Sequence, residues 1–363
     1  MTAGRFHVLD ISGAPRSRGR AHGEALRRPI AEVRERWRES LKLRFGVAPE
    51  IFISTFLAET QFENAMRLRT PALLDELEGL AEASGRPRDE TLAFQYMDEE
   101  WWFGAMRFRN AAKAANRCSV IASRGSSRQP PILAQNMDLP AFLDGAQTVM
   151  RVAGDGDAPG ATVLTICGML GLCGANELGL GVAVNTLWQL PRSPDGLPVA
   201  CVVRGVLVQR TLAEASTWLA ETRHASGQHY LIAAPDGFAS FEASAHSVAH
   251  LPWRDSPSFI HTNHPLDESY SPGVRLADEQ NSRARYDTLC ALTANRSLDL
   301  AGVESALATR NGAHPISVRP NDSSVSTMTF ASIAMELRQP PTIQVASGPP
   351  CSNPYRPTAE LFH

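Results

Sequence analysis

The stretch NRCSVIASRGSSRQPPILAQNMD, residues 116–138, places two short aliphatic runs, CSVIAS and ILAQNMD, on either side of the turn-forming segment RGSSRQP. Runs of that length bounded by Gly, Ser and Pro form strands, so the segment predicts an antiparallel hairpin centred near residue 127. That centre sets Cys118 opposite Asn136 and beside Asp138. A cysteine that opens a strand directly after the polar stretch AAKAANR, with a carboxylate supplied by the next strand, has the pattern of a nucleophile with an orienting acid. The alternative is a small, buried, inert thiol.

Upstream of this hairpin the texture is helical. A strand-like opening, Phe6 to Ile11, is followed by helical spacing that runs to about Trp102, as in Ile30, Val33, Trp37 and Leu41, and again in Leu73, Leu74, Leu77, Leu80 and Ala81. Thr70 before Pro71 predicts an N-cap and Gly85 a helix end. Downstream, QTVMRVA, TVLTIC, GLGVAVN, HYLIAAP and FASFEAS read as strands, as do TMTFASIAMEL and TIQVASG, which suit adjacent positions. Helices are predicted near Cys201 to Glu221, Glu279 to Thr293 and Leu300 to Ala308. The expected architecture is a helical N-terminal third followed by a mixed α+β body with a large antiparallel sheet.

Composition narrows the function. The chain has 363 residues, 43% of them hydrophobic and 20% charged, which excludes disordered and fibrous classes. With 35 Lys+Arg against 38 Asp+Glu, net −3, nothing electrostatic calls for nucleic acid or an anionic membrane surface. The uncharged stretch from Ala161 to Asn176 is too short and too rich in glycine to span a bilayer. The N-terminus, MTAGRFHVLDISG, lacks the apolar core of an export signal. Six dispersed cysteines without a CxxC pair fit a reducing cytoplasm. No Walker loop, complete dinucleotide fingerprint or GxSxG elbow is present. The HxxH spacing of His261 and His264 lies in a strand or loop setting that does not favour metal, so no metal or cofactor is expected.

The order of segments resembles the penicillin acyltransferase (isopenicillin-N N-acyltransferase) family of self-processing N-terminal-nucleophile hydrolases. The matching stretches are SGAPRSRGRAHGEALR, TPALLDELEGLAEASG, NRCSVIAS with AQNMDLP, GLCGANELGLGVAVNTLW, GQHYLIAAPDGFASFEAS, FIHTNHPL, NSRARY and ASGPPCSNPY. Together they cover nearly the whole chain in the family's order. The resemblance implies an αββα four-layer sandwich made as a precursor. Cleavage between Arg117 and Cys118 would give a helical small chain, 1–117, and a catalytic large chain, 118–363, that stay associated.

By the same resemblance Cys118 is the nucleophile and Asp138 tunes its freed amine. Asn263 is the side-chain oxyanion donor, and Arg285, with Arg283 as the neighbouring alternative, steadies the nucleophile or a substrate carboxylate. Asn136 supports the strand geometry, and Asn136, Asn176, Asn185 and His264 are carried over as substrate-pocket residues. An α-amino group of ordinary pKa, about 7.7–8.0, can serve as base for its own thiol, so no catalytic histidine is required. The implied partner is a small-molecule amide, with an acyl-CoA donor as a further option. The sequence departs from the family in Arg117, where a small residue is usual, in Ser119 for Thr and in Met137 for an aromatic. Two other readings stand beside this one: an unprocessed hydrolase pairing Cys118 with His261 or His264, and a non-catalytic protein on the same fold.

Overall fold

The computed structural model describes residues 5–108, 117–126, 129–156, 158–253, 256–267, 279–294, 296–311, 314–320 and 327–362. The chain opens with β1 (His7–Ile11), then seven helices: α1 (Pro15–Ala25), α2 (Arg27–Phe45), α3 (Pro49–Glu59), α4 (Phe62–Arg69), α5 (Pro71–Ser84), α6 (Arg88–Gln95) and α7 (Met97–Arg107). Strands follow as β2 (Arg117–Ser123), β3 (Ile132–Pro140), β4 (Gln147–Val152), β5 (Ala161–Ile166), β6 (Cys173–Asn176) and β7 (Gly181–Thr186). After α8 (Val199–Leu207) and α9 (Leu212–Ala220) come β8 (Gln228–Ala234), β9 (Gly237–Ala243), β10 (Val248–Leu251) and β11 (Ser258–His261). The C-terminal part holds α10 (Glu279–Thr293), α11 (Leu300–Leu307), β12 (Thr327–Glu336), β13 (Thr342–Ala346) and β14 (Arg356–Pro357).

Two sheets form the centre. One has eight strands in the order β1-β4-β5-β6-β7-β8-β9-β10, the other six in the order β11-β2-β3-β12-β13-β14. Strands β2 and β3 face β7 across the gap between the sheets, α8 and α9 cover the outer face of the larger sheet, and α10 and α11 cover that of the smaller one. The layers are therefore α, β, β, α, the four-layer sandwich expected from the sequence. Strands of both sheets are buried almost throughout, as double-sided cover requires, which is why their sequences read as continuous apolar runs rather than clean alternation.

The N-terminal third is not a separate body. Strand β1 joins the larger sheet parallel to β4, with Ile11 opposite Val152. Helices α1 and α5 then approach so closely that a Cβ on Gly19 would fall on the carbonyl of Glu76, and one on Gly79 on that of Arg16. The glycine spacing of RSRGRAHG and LEGLAEASG is thus a helix-contact pattern. Buried in the same region, Glu76 accepts from Arg204 Nη1 and Nη2 at 3.0 and 3.1 Å and from Arg18 Nε at 3.3 Å, tying α5 to α8 of the body.

Two local expectations are corrected. Gly85 ends α5 in the left-handed region, φ 69°, as its position predicts, but the Thr70 side chain does not cap α5: its hydroxyl turns back toward the carbonyl of Met66 on α4. The hairpin register is displaced by one residue from a centre at 127. Cys118 pairs with Met137, Arg117 with Asp138 and Ser119 with Asn136. Because side chains alternate across a sheet, a slip of one residue changes which neighbour shares a face.

Candidate active site

Cys118, second residue of β2, shares its sheet face with Met137, Val120 and Gln135 and looks toward the other sheet. Arg117, Ser119, Asn136 and Asp138 share the opposite face, under α10 and α11. The Cys118 thiol and its expected acid are thus on different faces of the hairpin, and the side chains that bond Cys118 from below do so through its backbone.

Both backbone polar groups of Cys118 are held by buried side chains. Its N–H donates to Asn263 Oδ1 at 2.8 Å, and its carbonyl accepts from Arg285 Nη1 at 2.7 Å. Arg285 also donates to Ser119 Oγ at 2.8 Å, to Asn263 Oδ1 at 2.9 Å and, through Nε, to Asn281 Oδ1 at 2.8 Å. A planar guanidinium with five donors spread over three nitrogens suits this task, whereas the three donors of a lysine sit on one nitrogen and do not span acceptors placed around the plane. Arg283, two residues away on the same helix, is exposed and paired instead with the buried Glu279.

Asn263 sits just beyond β11, which pairs with β2. Its N–H donates to Ser282 Oγ at 2.7 Å, and Nδ2 donates to the Thr186 carbonyl at 3.1 Å. The amide orientation is fixed by chemistry, because both the Cys118 N–H and the Arg285 guanidinium require an acceptor. Asn263 therefore holds the Cys118 nitrogen with its oxygen, and one Nδ2 hydrogen remains beyond the bond to Thr186.

Asp138 is fully buried, with Oδ1 accepting from Thr329 Oγ1 at 2.6 Å and Oδ2 without a hydrogen-bond partner among the described residues. Burial pushes its pKa up to about 6, against the opposing influence of Arg285, the Thr329 hydroxyl and Arg117. The Cys118 thiol is pushed up to about 12 by burial and by the charges of Asp138 and Asp98, with Arg285 opposing. In the uncleaved chain the thiol is therefore protonated at neutral pH.

The remaining sequence candidates fall as follows. Asn176 is saturated: Nδ2 donates to the carbonyls of Leu207 and Gln209, while Oδ1 accepts from the N–H groups of Leu178 and Leu180. Its side-chain amide is fully engaged by the protein's own backbone. Asn136 spends both Nδ2 hydrogens on the carbonyls of Leu307 and Ile316, anchoring α11 to β3. Asn185 Oδ1 is bonded to His229 Nδ1 at 2.9 Å, and its Nδ2 has no partner among the described residues.

His264 lies on Ser282 Oγ at 2.8 Å, and burial lowers its pKa to about 3. His261 is held by Glu242 Oε1 at 3.0 Å and by the Thr262 carbonyl at 2.8 Å, and its ring stacks on His229 at 3.6 Å. Among the described residues neither His261 nor His264 bonds to Cys118, so the geometry supplies no Cys/His pair. Ser282, Thr186 and Thr329 belong to the site without a sequence motif, Thr186 and Thr329 seated by strand pairing and Ser282 by α10, and Ser119, noted in sequence only as a replacement for Thr, is seated by pairing with Asn136.

Residues 123–348 match the family described as "Acyl-coenzyme A:6-aminopenicillanic acid acyl-transferase". The chain belongs to that family. Among solved structures, a mutant form of the conjugated bile acid hydrolase from Clostridium perfringens is similar, with 12% identity and a TM-score of 0.50 over 63% of this chain and 89% of that one. A penicillin V acylase from Agrobacterium tumefaciens matches at 17% identity and a TM-score of 0.43, over 63% of this chain and 83% of that one. No curated protein matches the sequence. The acyl-transferase family and the αββα layers together give the N-terminal-nucleophile hydrolase fold and, in general terms, amide hydrolysis or acyl transfer. Among the described residues no helix is long and apolar enough to cross a membrane.

Proposed function

We propose that the chain cuts itself between Arg117 and Cys118 and that the mature enzyme hydrolyses amides through a Cys118 thioester. The observation that carries this reading is the double clamp on the Cys118 backbone, Asn263 Oδ1 on its nitrogen and Arg285 on its carbonyl. A thiol that needed only to be buried would not require its own peptide groups to be held by two side chains from distant elements.

In the first stage the Cys118 thiol adds to the carbonyl carbon of Arg117, the C–N bond to Cys118 breaks as the nitrogen takes up a proton, and a thioester forms. Water then attacks the thioester, releasing Arg117 as a carboxylate and Cys118 as a free thiol with an α-amino group. Asn263 Oδ1, already on that nitrogen, keeps the amine beside its thiol. Asp138, with one oxygen unpartnered, offers the negative charge that the new ammonium needs. In the second stage the amine takes the thiol proton as the thiolate attacks the substrate carbonyl, then returns it to the departing amine. The second Nδ2 hydrogen of Asn263 is the candidate donor to the oxyanion.

The substrate is an N-acylated amine, amino acid or small peptide. Transfer from an acyl-CoA donor is the second reading, favoured by the description of the family. Strand β1 and the Glu76–Arg204 pair would keep the two chains together after cleavage. Six free cysteines, four of them buried, suit a reducing, cytoplasmic setting.

The test is the intact mass of the purified protein under denaturing conditions, with Cys118→Ala alongside. Two chains, 1–117 and 118–363, in the parent and a single full-length chain in the variant support the reading; full-length chain in both refutes it.

A further inference from the structure

A cleft of about 270 Å³ lies on the α8 and α9 side of the larger sheet, where α1, the end of α4 and the start of α5 meet those two helices. Leu73, Val152, Leu207, Val208 and Trp218 make its apolar walls, and Val208, 45% exposed, opens to solvent. Cys118 looks into the gap between the sheets, so the larger sheet stands between its thiol and this cleft. The walls come from both sides of the proposed cut: Arg18, Arg69 and Leu73 precede it, whereas Val152, Arg204 and Trp218 follow it.

Among the described residues four charged side chains line the cleft, and three of them are arginines. Arg18 and Arg204, both buried, share the carboxylate of Glu76, which is not part of the lining. Arg18 also lies 3.7 Å from Asp155, the one acid of the lining, whose side chain is 63% exposed. Arg69 has no carboxylate partner among the described residues. Its Nη2 donates to the Trp218 carbonyl and to Thr222 Oγ1, both at 3.0 Å, its guanidinium carbon lies 5.2 Å from the Trp218 ring centre, and its Nε is buried without a hydrogen-bond partner. Three guanidinium groups thus meet two carboxylates, and the balance of one positive charge falls beside an apolar wall.

We propose that this cleft is a second ligand site, apart from Cys118, for a small carboxylate with an apolar body. A cation entering it would meet like charge. An uncharged apolar molecule would cover Arg69 without pairing it and leave a desolvated charge. A phosphate dianion brings more charge than the cleft balances and nothing for its apolar walls. A monoanionic carboxylate answers both features, since its two oxygens match guanidinium donors and its hydrocarbon part covers Leu73, Val152 and Leu207. The volume falls just under the usual range of about 300–1,000 Å³ for drug-sized ligands, which suits a short chain or a single ring. Arg69 and Arg204 stand on opposite sides of the proposed cut, so an occupant that touches both joins the two prospective chains. The site does not depend on the amidase reading.

The test is a titration of the purified protein with sodium hexanoate at constant ionic strength, read by calorimetry and by tryptophan fluorescence, with sodium acetate and 1-hexanol as controls. The expected result is saturable binding of hexanoate, about tenfold or more tighter than either control. It should weaken about tenfold or more in Arg69→Gln, which removes the charge that lacks a carboxylate, and in Val208→Glu, which sets an acid at the exposed edge. Arg28→Gln, which removes an equal charge from a side chain that is 90% exposed on α2, should leave the affinity unchanged. Val208→Glu keeps the question open to refutation if Arg69→Gln does not fold. Absence of saturable binding, equal binding of acetate or hexanol, unchanged affinity in either folded variant, or an equal loss in Arg28→Gln would overturn the proposal. Binding is read without turnover, so a chain that fails to cut itself would refute the amidase reading while this titration still decides the carboxylate site.

Discussion

The Thr329 hydroxyl donates to Asp138 Oδ1 at 2.6 Å across the β3–β12 ladder, joining residues 191 positions apart. The same hydroxyl accepts from the Val318 N–H at 2.9 Å, so its donor direction is committed to the carboxylate. This is the one hydrogen bond to the buried Asp138 side chain among the described residues, and the acid's ionisation depends on it.

The first prediction concerns pH. Asp138 in the folded, uncleaved chain has its pKa pushed up to about 6 by burial. Between the ordinary carboxylate pKa and that value the folded chain holds a proton that the unfolded chain does not, so this group's contribution to stability is fully present below that window and is lost as pH rises through it. Self-cleavage that needs the carboxylate should fall as pH drops below about 6. Thr329→Val removes a bond that lowers this pKa, so the acid limb of the cleavage rate, followed by denaturing electrophoresis, should move to higher pH. An unmoved limb would show that Asp138 does not set it.

Arg285 is expected to tolerate no substitution. Arg285→Lys should slow the appearance of the two chains by about 10²-fold or more, in the range found when a preorganised donor is lost. Arg283→Gln, which removes a pair with the buried Glu279 but no bond to Cys118, Ser119 or Asn263, should leave the rate within about twofold whatever it costs in stability. Equal effects at 283 and 285 would contradict the clamp.

Asn263→Ala should leave the Cys118 N–H and one Arg285 donor without their shared acceptor. We expect a loss of self-cleavage rate of about 10²–10³-fold, together with about 1–3 kcal/mol of stability from the unsatisfied buried groups. Timed mass spectrometry and denaturant unfolding measure the two effects separately. A variant that is cut at the parent rate would remove Asn263 from the mechanism.

Glu76 connects the two prospective chains through Arg204, and Arg18, on the same prospective chain as Glu76, completes the buried ionic group. Removing one member of a buried ionic group leaves uncompensated charge, so Glu76→Gln should cost on the order of 3–5 kcal/mol. Thermal melting should drop accordingly, and native size-exclusion should show the parent chains eluting together after cleavage and the variant chains less firmly joined. Separation of the parent chains would argue against the shared sheet and ion pair as the join.

Much of this protein was determined by sequence alone. The runs CSVIAS and ILAQNMD are strands because short aliphatic segments bounded by Gly, Ser and Pro have few other folded outcomes, and helix periodicity marked Leu73 to Ala81 as one buried face. The tertiary structure decided what local pattern cannot carry. A hairpin whose turn is several residues long does not pin its register to one residue, so only the completed ladder set Cys118 opposite Met137 and turned Asp138 to the other face. Arg285 and Arg283 lie two positions apart on α10, about half a turn, and only packing chose which faces β2. Asn176 reads in sequence like any glycine-loop asparagine, and its saturation by four backbone groups became visible when α8 closed over β6. Asp98 and Thr329 carry no motif at all. They join the site because distant chain segments were folded together, Thr329 onto Asp138 and Asp98 onto Thr186 beside Asn263, which sequence spacing does not encode.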